Sequence, residues 1–186
     1  MPSPTRSGGM SAMATGFGSS LPKLSSWNGV TIARTGNQYA ISGGTSSRYA
    51  YLTVPIDSGK WYWESSKGAD ELIDFLTGTI QAYSSGGFSG TNAGITSNGF
   101  AYSQWGTAGS GSAITTERVG MAYDASTKTF SWYKNNTLIS SWVLTGGPSA
   151  IYPCFGFGPT AVGSGTQTVY FSTACAYSPP SGYSYL

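Results

Sequence analysis

The sequence lacks the side chain on which most acid–base and nucleophilic catalysis depends. It contains no histidine among its 186 residues. Histidine supplies the general base of Ser–His–Asp and Cys–His sites, and it is a common ligand in zinc sites. The absence of histidine therefore excludes these classes of active site.

Two Ser-x-x-Lys patterns match a motif in which a lysine activates a serine nucleophile. The first, Ser20–Lys23, contains Pro22 and lies in a segment rich in Ser and Gly. The second, Ser131–Lys134, lies in a predicted strand, where residues three apart point to opposite faces of the sheet. We therefore interpret neither pattern as a nucleophilic site.

Carboxylates are the remaining candidates for chemistry. Glu64 lies in an aromatic run, and Asp70, Glu71 and Asp74 form an acidic cluster. A glycoside hydrolase needs two carboxylates about 5–9.5 Å apart, and Glu64 could approach this cluster in the fold. The chain lacks the Glu-x-Asp-x-Glu strand of concanavalin-like glucanases, however. The cluster could also supply oxygens to Ca²⁺, but we interpret it as a solvated loop and expect no catalytic residue, metal or cofactor.

Nucleic acid, phosphate and membrane ligands are not indicated either. The 9 Lys and Arg residues are scattered singly, whereas nucleic-acid-binding proteins gather them into a patch. The Gly-rich segment 106–111 has no Lys-Ser/Thr pair after it, so we interpret it as a flexible loop rather than a phosphate cradle. The chain has no secretory signal pattern and no apolar run near the ~20 residues that span a bilayer, so we expect a soluble protein.

The apolar residues lie in short runs that are typical of antiparallel strands. With 39% hydrophobic residues, 27 glycines and only 9% charged residues, the chain fits one domain with many tight turns. The predicted strands are 30–33, 39–42, 49–56, 61–65, 76–83, 94–96, 100–102, 119–123, 129–134, 138–143, 152–157 and 168–172. Such a series predicts an all-β fold of two stacked antiparallel sheets, a β-sandwich.

Aromatic side chains alternate along several of these strands. Trp61 and Trp63 share one face, as do Phe130 and Trp132. Val119, Met121 and Tyr123 form a third such face. Because burial of large apolar side chains holds a sandwich together, we interpret these residues as core rather than as a platform for a ligand.

The turns and the cysteines fit the same fold. Asn135-Asn136 predicts a two-residue hairpin turn, because Asn tolerates positive φ. The segment 124–128 predicts a second turn between consecutive strands. Cys154 and Cys175 interrupt apolar or aromatic runs, which favours two buried, reduced thiols. A cross-strand disulfide is the alternative.

The first 26 residues differ from the rest of the chain. They consist mainly of Pro, Ser, Gly, Thr and Ala, and few large apolar side chains interrupt them. A segment of this composition cannot form a core of its own. We therefore divide the chain into an extended N-terminal arm, 1–26, and a sandwich domain, 27–186.

Six motifs in order resemble the SPRY family. The segment 59–64 (GKWYWE) is similar to the "GxxYWE" strand of SPRY domains. It is followed by 99–102 (GFAY), 118–124 (RVGMAYD), 129–135 (TFSWYKN), 152–153 (YP) and 169–171 (VYF). The ending 176–183 (AYSPPSGY) resembles the "Y-T-P-P-x-G-F" ending of SPRY domains encoded by bacteriophages. The resemblance covers residues 27–186.

The resemblance implies a SPRY or concanavalin A-like jelly-roll sandwich that binds proteins without catalysis. In animal members the partner docks on loops at one end of the sandwich. By position, the corresponding residues here are Phe88, Trp105, Phe157, Pro159 and Val162. Trp105 lies between polar and Gly residues, which favours an exposed aromatic anchor. The alternative is that Trp105 folds back over the core.

These features lead to one hypothesis of function and two alternatives. We expect a non-catalytic structural protein of a bacteriophage virion, either a capsid decoration protein or a tail or fibre component. It would be made in the host cytoplasm, join a symmetric assembly of virion proteins, and attach through the arm residues Met10, Met13 and Phe17. The first alternative is a carbohydrate-binding module that recognises host-surface glycans. The second is a glycoside hydrolase that uses Glu64 and the carboxylates at 70–74.

Overall fold

The chain forms fourteen β-strands within the part that the structure describes. A computed structural model describes residues 21–27, 29–43, 48–67, 75–80, 91–95, 101–102, 114, 116–144, 149–157 and 166–186. The strands are β1 Leu24–Trp27, β2 Thr31–Thr35, β3 Gln38–Ser42, β4 Arg48–Leu52, β5 Lys60–Lys67, β6 Phe75–Ile80, β7 Thr91–Ile95, β8 Ala101–Tyr102, β9 Val119–Asp124, β10 Thr129–Lys134, β11 Thr137–Val143, β12 Tyr152–Phe157, β13 Thr166–Tyr170 and β14 Ser184–Tyr185. The helical structure in these residues is one short 3-10 turn, Ser172–Ala174. None of them forms a helix that is long and apolar enough to cross a membrane.

The strands build two sheets. Sheet A has the order β1-β4-β12-β6-β7-β8, and sheet B has the order β11-β10-β9-β5-β13-β3-β2. The neighbours in both orders pair antiparallel, while β14 adds a short parallel pairing to the first half of β5. The expected all-β, antiparallel two-sheet sandwich is confirmed.

The core is an aromatic layer on the inner face of sheet B. Trp63, Met121, Phe130 and Trp132 have no solvent exposure, and all four belong to one buried cluster. The ring of Phe130 stacks on Tyr123 at 4.4 Å between centroids. The alternating aromatics are therefore core side chains, as the sequence predicts.

The N-terminal boundary of the sandwich differs from the prediction. Residues 24–26, which we assigned to the arm, lie in β1 and pair with β4. Leu21 and Leu24 pack against the core, and the hydroxyl of Tyr39 donates a hydrogen bond to the carbonyl of Pro22. This Ser-rich segment becomes a strand because the edge of β4 is open to pair with it and its two leucines reach the core. The sandwich therefore includes residues from Leu21 onward.

The strand predicted over 49–56 is interrupted. Strand β4 ends at Leu52, and Ile56 makes only an isolated antiparallel bridge with Ile151. Val54 is one of three large apolar side chains that are exposed within the described ranges. Pro55, which has no backbone N–H to donate, stands next to the bridge and accounts for the break.

Both predicted turns are present. Asn135 and Asn136 have φ of 46° and 66°, and they join β10 to β11. The turn 125–128 joins β9 to β10, and Lys128 in it has φ of 53°. Left-handed residues at these positions match the twist that hairpin strands require.

The cysteines are free thiols. Cys154 is buried in β12, whereas Cys175 is only partly buried and donates a hydrogen bond to the carbonyl of Tyr170. Burial raises the pKa of the Cys154 thiol, and it raises the pKa of Cys175 to about 12. The two cysteines are not paired with each other, as the sequence predicts, but only Cys154 is buried as expected.

Candidate functional site

The residues that the sequence proposes for partner binding fall almost entirely outside the described structure. Phe157 is the last residue of β12, where its backbone is described. Phe88, Trp105, Pro159 and Val162 lie outside the ranges given above, and so do the arm residues Met10, Met13 and Phe17. Their roles stay predictions.

The described strand ends nevertheless show where the connections to these residues begin. Strand β6, which precedes Phe88, ends at Ile80, and Ile80 pairs with Tyr152 at the start of β12. Phe157 lies at the other end of β12, opposite Arg48. Tyr102, the last described residue before the segment with Trp105, pairs with Gly94, which in turn pairs with Gly78 inside β6, and β8 runs in the direction of the Ile80 end. The segments with Phe88 and Trp105 therefore leave sheet A at one end, and the segment with Pro159 and Val162 leaves at the other.

A buried charged cluster lies on the outer face of sheet B. We call it the Glu64 network, and it consists of Tyr62, Glu64, Arg118, Tyr170 and the backbone of Ala176 and Tyr177. Glu64 has no solvent exposure. Its Oε1 accepts hydrogen bonds from the Tyr62 hydroxyl at 3.0 Å and the Tyr177 N–H at 3.0 Å. Its Oε2 accepts one from the Ala176 N–H at 2.8 Å.

Arg118 supplies the positive charge of this network. Its Nη1 lies 3.4 Å from Oε2 of Glu64, a charge contact without hydrogen-bond geometry. Its guanidinium carbon lies 3.3 Å from the centre of the Tyr170 ring, which is a cation–π contact. The Tyr170 hydroxyl in turn lies 2.9 Å from Oγ of Ser66. The charge of Glu64 is thus compensated by one cation and three hydrogen-bond donors.

The geometry makes Glu64 an anchor for the segment that follows β13. The network ties β5 to Ala176 and Tyr177, and the N–H of Leu186 donates to the carbonyl of Tyr62. Burial first, and then the charge of Glu64, raise the pKa of Tyr62, so its hydroxyl remains a proton donor. Because both of its carboxylate oxygens already accept hydrogen bonds, Glu64 serves to fasten the segment after β13 to β5.

The sequence contained a signal for this network that the prediction did not use. Glu64 is a charged residue inside an aromatic strand, and Arg118 directly precedes the buried strand β9. In a chain with only 9% charged residues, two charges at such positions suggest a buried pair. The three other carboxylates proposed for a hydrolase, Asp70, Glu71 and Asp74, lie beyond the described ranges. In those ranges, no group of three possible metal ligands occurs.

A second charged pair lies at the other end of β5. Nζ of Lys60 lies 2.8 Å from Oδ2 of Asp124, and it also sits 5.7 Å from the centre of the Tyr183 ring. Oδ1 of Asp124 accepts hydrogen bonds from the N–H and hydroxyl of Ser126 and from the N–H of Thr127. Asp124 therefore stabilises the turn between β9 and β10.

Asp124 gives the fold a dependence on acidic pH. Burial would raise the pKa of Asp124, but the hydrogen bonds from Lys60, Ser126 and Thr127 together lower it to about 2. Because the folded pKa is depressed, the stability from Asp124 is complete above the unfolded pKa of about 3.9 and is lost as pH falls through about 2.

We expect this loss to amount to about 2 kcal/mol of unfolding free energy between about pH 4 and pH 2. Urea unfolding across that range measures it. The variant Asp124→Asn is the control, because it should be less stable at neutral pH and should show a shallower decline on acidification. An equally steep decline in the variant would contradict the assignment to Asp124.

The fold is shared with solved SPRY domains. No protein-family model matches the chain, and no curated protein matches its sequence. The chain is similar to a human SPRY domain with a TM-score of 0.56 and 15% identity, over 78% of this chain and 96% of that one. It is similar to the TRIM65 PSpry domain with a TM-score of 0.54 and 13% identity, over 76% of this chain and 85% of that one.

A third structure matches in the same way. The SPRY domain of human HERC1 has a TM-score of 0.50 and 14% identity, over 75% of this chain and 91% of that one. These likenesses establish a SPRY-like β-sandwich and confirm the predicted fold.

Proposed function

We propose that this chain is a non-catalytic, protein-binding structural component of a bacteriophage virion. It displays the SPRY-like sandwich and attaches through the arm before Leu21. The observation that carries the proposal is the SPRY-like fold, whose similarity to a human SPRY domain extends over 78% of the chain. As a capsid decoration protein or a tail or fibre component, it would present the loops of the sandwich to a protein partner.

The internal contacts of the described sandwich support a display role. The Glu64 network compensates its buried charge internally, and the core beneath it is closely packed and aromatic. A scaffold of this kind positions connecting loops, which is where binding residues are usually found. Connections leave both ends of sheet A, so the module has two surfaces that could meet neighbours in an assembly.

Two features support the assignment to a bacteriophage virion. The segment 1–20 consists largely of Ser, Gly, Pro, Ala and Thr, so it cannot build a core of its own and is suited to attachment to a partner. The segment 176–183 resembles the ending of SPRY domains encoded by bacteriophages. Part of that ending binds Glu64 through the N–H groups of Ala176 and Tyr177, which makes it an integral part of the fold.

Mass spectrometry of gradient-purified virions tests the proposal. We expect the full-length chain in intact particles, in a fixed ratio to the capsid or tail protein. A chain that lacks residues 1–20, supplied in trans, should remain folded but fail to enter particles, whereas full-length Trp105→Ala should enter them. Absence of the chain from intact particles would overturn the proposal. Glycan-array binding that is lost in Trp105→Ala, together with such absence, would support a carbohydrate-binding module instead.

A further inference from the structure

Strand β11 leaves one edge of sheet B open. It pairs with β10 on one side, and no strand in the described part of the chain pairs with its other side. Among the described residues, the backbone N–H and C=O groups of that side are therefore left for another strand to pair with. Seven residues give an edge roughly 23 Å long.

The composition of this edge offers little protection against pairing. Strand β11 reads TLISSWV and contains no charged residue and no proline. Charged side chains and proline are the usual means by which edge strands avoid association. The opposite edge of the same sheet, β2, carries Arg34. The one protective feature of β11 is the irregularity at Ile139, which falls between the pairs Trp132–Ser140 and Tyr133–Leu138.

The exposed apolar side chains of the described surface concentrate on β11. Leu138 and Val143 are 53% and 49% exposed, and Val54 is the third such residue in the described ranges. Leu138 lies opposite Tyr133, and Val143 lies opposite Thr129, so both point to the outer face of sheet B. Trp142, in contrast, packs against the core. The edge therefore combines free backbone groups with two apolar contacts near its two ends.

We propose that β11 pairs with β11 of a second copy of this chain, antiparallel and about a two-fold axis. In a two-fold contact the same strand forms both halves of the interface. The strand must therefore be complementary to its own reversed copy in charge and in the placement of its apolar side chains. An antiparallel pair brings the Leu138 end of one strand beside the Val143 end of the other. The uncharged strand brings no like charges together. The two sheets B join into one continuous sheet across the dimer.

A second copy of β11 fits this edge better than the N-terminal arm of the same chain does. The arm is rich in Gly, Ser and Pro, which weaken strands, and it has few side chains to cover Leu138 and Val143. The interface is small, because a single strand edge lies at the low end of the area that stable interfaces bury. The dimer is therefore concentration-dependent.

Analytical ultracentrifugation of the full chain over a concentration series tests the proposal. We expect a monomer–dimer equilibrium. In the double variant Leu138→Lys with Val143→Lys, which adds edge charges that should repel across the contact, the dimer dissociation constant should rise about tenfold or more. The matched control is Val54→Lys, an equally exposed apolar position off the strand, which should leave the equilibrium unchanged.

A second measurement separates strand pairing from other dimers. Amide hydrogen exchange in β11 should slow at high protein concentration in the parent chain and not in the double variant, while thermal unfolding shows that the variant is folded. A chain that stays monomeric at every concentration would overturn the proposal. So would a dimer that is unaffected by the lysines, or one that Val54→Lys weakens equally.

Discussion

The variant Glu64→Leu should lower the free energy of unfolding by about 3 kcal/mol, the low end of the cost of removing one partner of a buried ion pair, because Glu64 is fully buried but the side chain of Arg118 is 23% exposed. Arg118 would keep its contact with Tyr170 but lose its counter-charge, and the N–H groups of Ala176 and Tyr177 would lose their acceptors. For a domain of this size the thermal midpoint should fall by roughly 10 °C. Urea unfolding followed by tryptophan fluorescence measures the effect.

Two controls distinguish the loss of this network from a general loss of charge. Glu117→Gln removes the pair with Lys134, whose side chains are 20% and 22% exposed, and should cost no more than about 1 kcal/mol. The double variant Glu64→Leu with Arg118→Leu should recover part of the lost stability, because it removes the uncompensated charge. A cost for Glu64→Leu as small as that for Glu117→Gln would contradict the anchoring role.

The variant Gly120→Ala should also lower the free energy of unfolding, by less than Glu64→Leu. A Cβ at Gly120 would lie 2.8 Å from two ring carbons of Tyr62, and the hydroxyl of Tyr62 would be closer still. The ring cannot move aside easily, because it is buried between Tyr133 and Tyr185 and its hydroxyl donates to Glu64. Overpacking of this kind costs about 1–3 kcal/mol, measurable by urea unfolding.

The steric origin of this cost can be isolated. Gly36→Ala adds a methyl group where no atom lies within 4 Å, so it should cost only about 1 kcal/mol from its positive φ. In a Tyr62→Phe background, Gly120→Ala should cost less than in the parent chain, because the nearest clashing atom is gone. Equal costs in the two backgrounds would show that the hydroxyl of Tyr62 is not the obstacle.

Features that depend on neighbouring residues were predictable from the sequence. The alternation of Trp61 and Trp63 identified the inner face of β5, and Asn135-Asn136 identified the hairpin between β10 and β11. Both follow from rules that act over a few residues. The fold class followed from the repetition of such runs.

Features that join distant parts of the chain were not predictable in the same way. Strand β14 has two residues and pairs parallel with β5, so no periodic pattern could indicate it. The partners of Glu64 in the segment after β13 were missed because they are backbone N–H groups, which every residue except proline carries. Residues 24–26 of β1 were assigned to the arm because of the composition of the whole segment 1–26, whereas pairing with the edge of β4 decided their structure.

The sequence separation within the Glu64 network has a consequence for how the protein is made. Ala176 and Tyr177 follow Glu64 by 112 and 113 residues. A ribosome that adds about 5–20 residues per second needs roughly 6–22 s to cover that distance. Until then the carboxylate of a nascent chain has neither of these backbone donors, and β5 lacks the segment that covers it. The sandwich therefore completes its folding late, and the ribosome-bound chain passes through a stage in which chaperones can bind its exposed aromatic strands.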